Sequence, residues 1–75
     1  MKVGVVVYFQ GLEEDELRFL MRKHCREFGV TIGMSSPLAS GMYFQLRGKL
    51  ENIVNMCDFL AHNGFTIELV SAKEG

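Results

Sequence analysis

The sequence predicts a small α+β domain in which a four-stranded antiparallel sheet carries two helices on one face. The chain has 75 residues, which leaves room for one domain. Its apolar residues alternate between strand and helix periodicity in the order βαββαβ. Segment 8–32 also matches segment 43–67 without a gap at 8 of 25 positions, namely Tyr8, Phe9, Gln10, Glu16, Met21, Gly29, Thr31 and Ile32. Two βαβ units in tandem are therefore expected.

The first unit begins with a strand over residues 2–10, in which every second residue from Val3 to Phe9 faces the core. A helix over residues 13–28 follows, and Gly29 ends it. Its acidic start and basic end both suit the helix dipole. A second strand then places Val30, Ile32 and Met34 toward the core, before a loop over residues 35–41. The predicted apolar face of the helix consists of Leu17, Leu20, Met21, Cys25 and Phe28.

The second unit repeats this pattern with a strand over residues 42–47 and a helix over residues 49–63, which Gly64 ends. The last strand turns Phe65, Ile67 and Leu69 inward, and residues 72–75 form a polar tail. We expect Leu17, Met21, Ile53 and Leu60 to be buried between helices and sheet. The predicted apolar face of the second helix consists of Leu50, Ile53, Val54, Cys57, Leu60 and Ala61.

Two right-handed βαβ crossovers joined by a hairpin form one antiparallel sheet when the strands lie in the order 4-1-3-2. This arrangement is the ferredoxin-like sandwich, with both helices on one face of the sheet. The other face is open to water or to a partner. Tyr8 and Tyr43 are expected side by side on its two central strands. The predicted interaction face consists of Val6, Tyr8, Gln10, Tyr43, Gln45, Arg47 and Val70.

The charges are expected to divide between two poles, although the net charge is only -1. The topology places the acidic residues 13–16 at one end of the sheet. It gathers seven of the eight basic residues at the other end, and Arg47, Gly48 and Lys49 there precede the second helix as a potential anion-binding site. The seven are Lys2, Arg22, Lys23, Arg26, Arg47, Lys49 and Lys73.

No catalytic or metal-binding pattern stands out in the sequence. Gln10-Gly11 resembles the Gln-Gly of the phosphate loop in acylphosphatases, but residues 12–15 lack the arginine of that family. His24, Cys25, Cys57 and His62 do not have the spacing of a zinc site. We therefore expect a non-enzyme without cofactor or metal, and reduced thiols. The apolar run over residues 3–9 is too short to span a membrane, and no signal peptide is recognised, so a cytoplasmic protein is expected.

The sequence favours a non-catalytic regulatory or adaptor domain that binds another protein or itself, as a homodimer, through the open sheet face or a sheet edge. A dimer formed through the open face would be weakened by Tyr43→Ser. The alternative is a module for single-stranded RNA or DNA, since RNA-recognition motifs also place base-stacking aromatics on the two central strands. Binding of a small anion at Arg47, Gly48 and Lys49 is a third hypothesis.

Overall fold

The computed structural model describes residues 1–74, which form an α+β fold. The elements are β1 (Lys2–Tyr8), α1 (Glu14–Phe28), β2 (Thr31–Pro37), β3 (Gly41–Arg47), α2 (Leu50–His62) and β4 (Ile67–Lys73). The four strands form one antiparallel sheet in the order β2-β3-β1-β4. This is the predicted order 4-1-3-2 read from the opposite edge, so the predicted topology is confirmed.

The core lies between the two helices and one face of the sheet. Leu17, Met21, Ile53 and Leu60, which the sequence predicts to be buried, are each at most 2% exposed. They share one apolar cluster with alternate residues of β1 and β3, so both helices cover the same sheet face. The strand residues of this cluster are Val3, Val5, Val7, Met42, Phe44 and Leu46.

Local interactions define both ends of α1 and the contact between α1 and α2. The Glu16 carboxylate accepts a hydrogen bond of 2.9 Å from the Glu13 backbone N–H, and so satisfies one of the free donors at the start of α1. Gly29 ends α1 with a φ of 71°, a left-handed conformation that favours glycine. The Phe59 ring of α2 packs against Phe28 of α1, with ring centroids 5.4 Å apart.

Strand β2 differs from the prediction at its second half. The predicted loop over residues 35–41 is wrong, because β2 continues to Pro37 and the turn is confined to residues 38–40. A register shift at Gly33 also turns Met34 away from the core, so that it lies opposite Gln45 on the open face. A β-bulge has this effect because one extra residue reverses the alternation of the side chains.

Strand β4 has the same kind of irregularity and is shifted along the chain, because it begins at Ile67 rather than at the predicted Phe65. It extends to Lys73, so Ala72 and Lys73 of the expected polar tail belong to the strand, and Gly75 lies outside the described residues. The register on β1 passes from Leu69 to Ser71, which leaves Val70 as the extra residue of a bulge. Ala72 therefore lies on the helix-covered side, opposite Val3, while Lys73 lies on the open side, opposite Lys2.

The two Tyr-Phe-Gln tripeptides of the repeat occupy different places in their strands. Tyr8 ends β1, whereas Tyr43 lies within β3. Tyr8 consequently pairs with Gly41, and Tyr43 pairs with Val6. The two tyrosines, expected side by side, share the open face but are not directly opposed, because the repeat aligns the helices and the strands after them but not the strands before them.

Candidate functional site

An apolar groove of about 390 Å³ runs between α2 and the edge strand β4. Leu69 on β4 is 64% exposed, and Leu50 and Val54 on α2 are 52% and 46% exposed. Asp58 is the one charged residue among those that line the groove. The lining consists of Val3, Val5, Leu50, Ile53, Val54, Cys57, Asp58, Ala61, Ile67, Leu69 and Ala72.

The groove exists because α2 is apolar around more of its circumference than the core covers. Ile53, Met56 and Leu60 bury one side of α2 in the core. Leu50 and Val54, which the sequence predicts to face the core, point instead toward the uncovered half of β4. That prediction is corrected because β4 is an edge strand, with a neighbour on one side only among residues 1–74. The apolar surface beyond β1 is therefore left open.

The bulge at Val70 decides which β4 side chains point into the groove. Leu69 and Ala72 lie opposite Val5 and Val3 of β1, whose side chains belong to the core, so both face the groove. Glu68 lies opposite Val6 on the open face. Among residues 1–74, the outer backbone edge of β4 has no neighbouring strand, and such an edge is a template for pairing with another chain.

The tyrosines of the open face are held by interactions within the chain. The Tyr8 hydroxyl donates a hydrogen bond of 2.9 Å to the Glu68 carboxylate. This hydrogen bond and the negative charge of Glu68 raise the pKa of Tyr8. Tyr43 lies across Gly4, where an added Cβ would be only 2.8 Å from its hydroxyl oxygen. The two rings thus point to different neighbours.

The remaining residues of the predicted interaction face divide into two groups. Val6, Gln45 and Arg47 lie on the open face, and the Arg47 guanidinium donates to Gln45 Oε1 over 3.4 Å. Gln10 lies in the turn after β1 with a φ of 48°, and its Oε1 accepts a hydrogen bond of 2.7 Å from the Thr66 N–H. Val70 lies in the bulge and is 54% exposed. The structure therefore brings five of the seven residues together and places Gln10 and Val70 elsewhere.

Three cations form a row across one end of the open face. Lys2 on β1 lies opposite Arg47 on one side and opposite Lys73 on the other. Within residues 1–74, none of the three forms an ion pair. Lys49 occupies the N-cap position of α2 without a side-chain hydrogen bond, and Gly48 precedes it with a φ of 151°. Directly opposed like charges are destabilising. A negatively charged group would therefore be favourable beside the row of Arg47, Lys2 and Lys73.

Both cysteines are free thiols, one beside each edge strand. Burial raises the pKa of Cys25 to about 11, and burial with the neighbouring Asp58 raises the pKa of Cys57. The described part of the chain holds no cluster of three or more potential metal ligands. Across residues 1–74, no helix has both the length and the apolar character needed to cross a membrane.

Comparison with known protein families finds no family model that matches this sequence, and comparison with curated proteins finds no match. The surfaces of the protein itself are therefore the basis for proposing a function.

The sequence did not predict the groove, because its pattern assigned Leu50, Val54 and Leu69 to the core. The available signal was the width of the apolar face of α2, which exceeds what one side of a helix can bury against a sheet.

Proposed function

We propose that this protein is a non-catalytic regulatory or adaptor domain of the cytoplasm that acts by associating with a second copy of itself. The surface for this association is the outer edge of β4 together with the groove beside it. The observation that supports the proposal is the exposure of Leu50, Val54 and Leu69 along one side of the molecule. We also assign the fold to the ferredoxin-like class, on the element order and the strand order.

The energetics favour the β4 edge over the open face. Fully burying a leucine or valine side chain is worth about 1.5 to 3 kcal/mol, and a symmetric dimer buries each of them twice. A strand pairing at the β4 edge would also satisfy backbone groups that now face water. On the open face, by contrast, Tyr8 is already bonded to Glu68, and Tyr43 already packs on Gly4.

The test is a pair of matched substitutions on the two edge strands. Leu69 on β4 is 64% exposed and Met34 on β2 is 56% exposed, so neither side chain carries much of the folding free energy. We expect the wild-type protein to dimerise at micromolar concentration in sedimentation equilibrium. Leu69→Lys should raise the dissociation constant by more than about tenfold, because it removes two apolar contacts and desolvates two charges.

The control variants define the outcome. Met34→Lys should leave the dimer unchanged, and Tyr43→Ser should do the same because Tyr43 lies on the open face. Loss of the dimer in Tyr43→Ser but not in Leu69→Lys would show that the interface lies on the open face and not at the β4 edge. A wild-type protein that stays monomeric at high concentration would contradict the proposed function.

A second candidate function is the binding of single-stranded nucleic acid on the open face. The observation in its favour is the row formed by Arg47, Lys2 and Lys73, which lies on the same face as Tyr43. Cations beside an aromatic ring are the elements that bind phosphates and stack bases. Against it, the hydroxyl of Tyr8 is bonded to a carboxylate, and that carboxylate would repel a phosphate backbone.

Fluorescence anisotropy with short single-stranded RNA and DNA separates the two candidates. We expect no binding at physiological salt. Micromolar binding that falls steeply with salt would instead support the second candidate. In that case Tyr43→Ala should cost about 1 to 3 kcal/mol. Arg47→Ala should then flatten the salt dependence, while Lys23→Ala on α1 serves as the charge-matched control.

A further inference from the structure

The bulge in β4 restricts how two copies of this strand can pair. In an antiparallel pair related by a twofold axis, residue i opposes residue j and residue j opposes residue i. Directly opposed side chains also lie on the same face of the sheet. Because Val70 is an extra residue, Glu68 and Lys73 share the open face although they are an odd number of positions apart. Leu69 and Ala72 share the groove face in the same way.

The faces on which these β4 residues lie exclude some registers of the antiparallel pair. Pairing Val70 with itself would set Leu69, a groove residue, opposite Ser71, an open-face residue, so such registers fail. Pairing Glu68 with Lys73 of the second copy opposes two open-face residues, and it sets Leu69 opposite Ala72, which both face the groove. Shifting this register by two positions would oppose Glu68 to Ser71, which are also two open-face residues, but it leaves Lys73 without a counter-charge.

The charges favour the first of these two registers. In the single chain, Lys73 lies opposite Lys2 and forms no ion pair within residues 1–74. A symmetric dimer in this register gives each Lys73 a carboxylate from the other copy, and so relieves the repulsion at the end of the cationic row. Glu68 can accept this contact while it holds the Tyr8 hydroxyl, because a carboxylate has two oxygens and several acceptor sites.

We infer that two copies pair antiparallel through β4, with Glu68 opposite Lys73 of the second copy and Leu69 opposite Ala72 of the second copy. The two four-stranded sheets then form one continuous eight-stranded sheet. On the helix side, the two grooves meet at the twofold axis, so that Leu69 of each copy is covered. This inference rests on the proposed function, to which it adds the register of the interface and the residues that set it.

Charge exchange tests the register. Glu68→Lys alone, or Lys73→Glu alone, places two like-charged pairs in the homodimer. Each should weaken dimerisation by about tenfold or more at low salt, because two attractive pairs become two repulsive pairs. The double variant Glu68→Lys with Lys73→Glu should recover the wild-type dissociation constant to within a few-fold. Asp15→Lys, on α1 at the opposite pole, controls for the change in net charge.

Mixing the two single variants gives the sharper result. In the heterodimer, both cross-strand pairs are attractive again, so an equimolar mixture should dimerise more tightly than either variant alone. Circular dichroism and urea unfolding of each variant verify that the monomer still folds after Glu68 loses its bond to Tyr8.

The outcomes separate the register from the proposed function. Dimers that are insensitive to the single substitutions, or a mixture that does not recover affinity, would overturn the register while self-association stands. A wild-type chain that never dimerises would overturn both. Weakening by each substitution together with recovery in the mixture supports the register, because only opposed positions compensate in this way.

Discussion

The two edge strands of this sheet, β2 and β4, have the same length and a similar bulge but opposite chemistry. The second half of β2 reads Ser35-Ser36-Pro37, and Arg22 and Arg26 of α1 line the groove beside this strand. Strand β4 carries Leu69 and Val70 at its centre, and its groove is almost wholly apolar. Proline, charged side chains and bulges are the devices that prevent unwanted pairing at sheet edges.

One edge of the sheet is therefore protected against strand pairing, whereas the other edge is available for it. Pro37 lacks a backbone donor for strand pairing. Arg22 and Arg26 beside β2 are unfavourable neighbours for an apolar partner. At β4 the bulge is present, but proline is absent and the neighbouring groove favours burial. A chain with one available edge forms a closed twofold dimer, whereas a chain with two would extend into open ribbons. The asymmetry of the edges would therefore limit the proposed assembly to a dimer.

The two faces of α2 should differ strongly in their contribution to stability. Leu60 is 1% exposed in the core, and Leu50 is 52% exposed in the β4 groove. Leu60→Ala should lower the free energy of unfolding by about 2 to 5 kcal/mol, because it leaves a cavity in the core. Leu50→Ala should cost well under half as much in the monomer, yet weaken the dimer.

Urea unfolding at low protein concentration measures both variants. Equal losses of stability for Leu50→Ala and Leu60→Ala would show that the groove belongs to the folding core. The apolar residues beside β4 would then be explained by stability alone, and they would not indicate that this edge pairs with a second copy.

Much of this architecture could be predicted from the sequence, because the regular elements follow simple periodicity. The helices begin and end within one or two residues of the predicted bounds, and the strand order follows from handedness and a hairpin. The burial of Leu17 and Met21 follows from their helical spacing in the same way. These features depend on local pattern and on chain connectivity, both of which a single sequence contains.

The parts of the site that could not be predicted depend on bulges and on coverage. One extra residue at Gly33 turned Met34 to the open face, and one at Val70 turned Ala72 toward the groove. A period-two pattern cannot locate such an insertion, because either register matches the same residues up to that point. The exposure of Leu69 depends on where α2 lies above the sheet, which periodicity alone does not determine.

The reactivity of the two cysteines should differ, because one lies beside each edge strand. Cys57 lines the β4 groove and is half-buried, whereas Cys25 lines the groove beside β2 and is only 2% exposed. The thiolate is the nucleophile, and burial raises the pKa of Cys25 from 9.0 to about 11, so Cys25 stays neutral and unreactive near pH 8. Iodoacetamide should therefore modify Cys57 first, with Cys57→Ser as the control for assignment by mass spectrometry.

If the β4 groove is covered in the dimer, modification of Cys57 should slow as protein concentration rises, and Leu69→Lys should abolish that dependence. A rate for Cys57 that is independent of concentration in a protein shown to dimerise would place the interface away from β4.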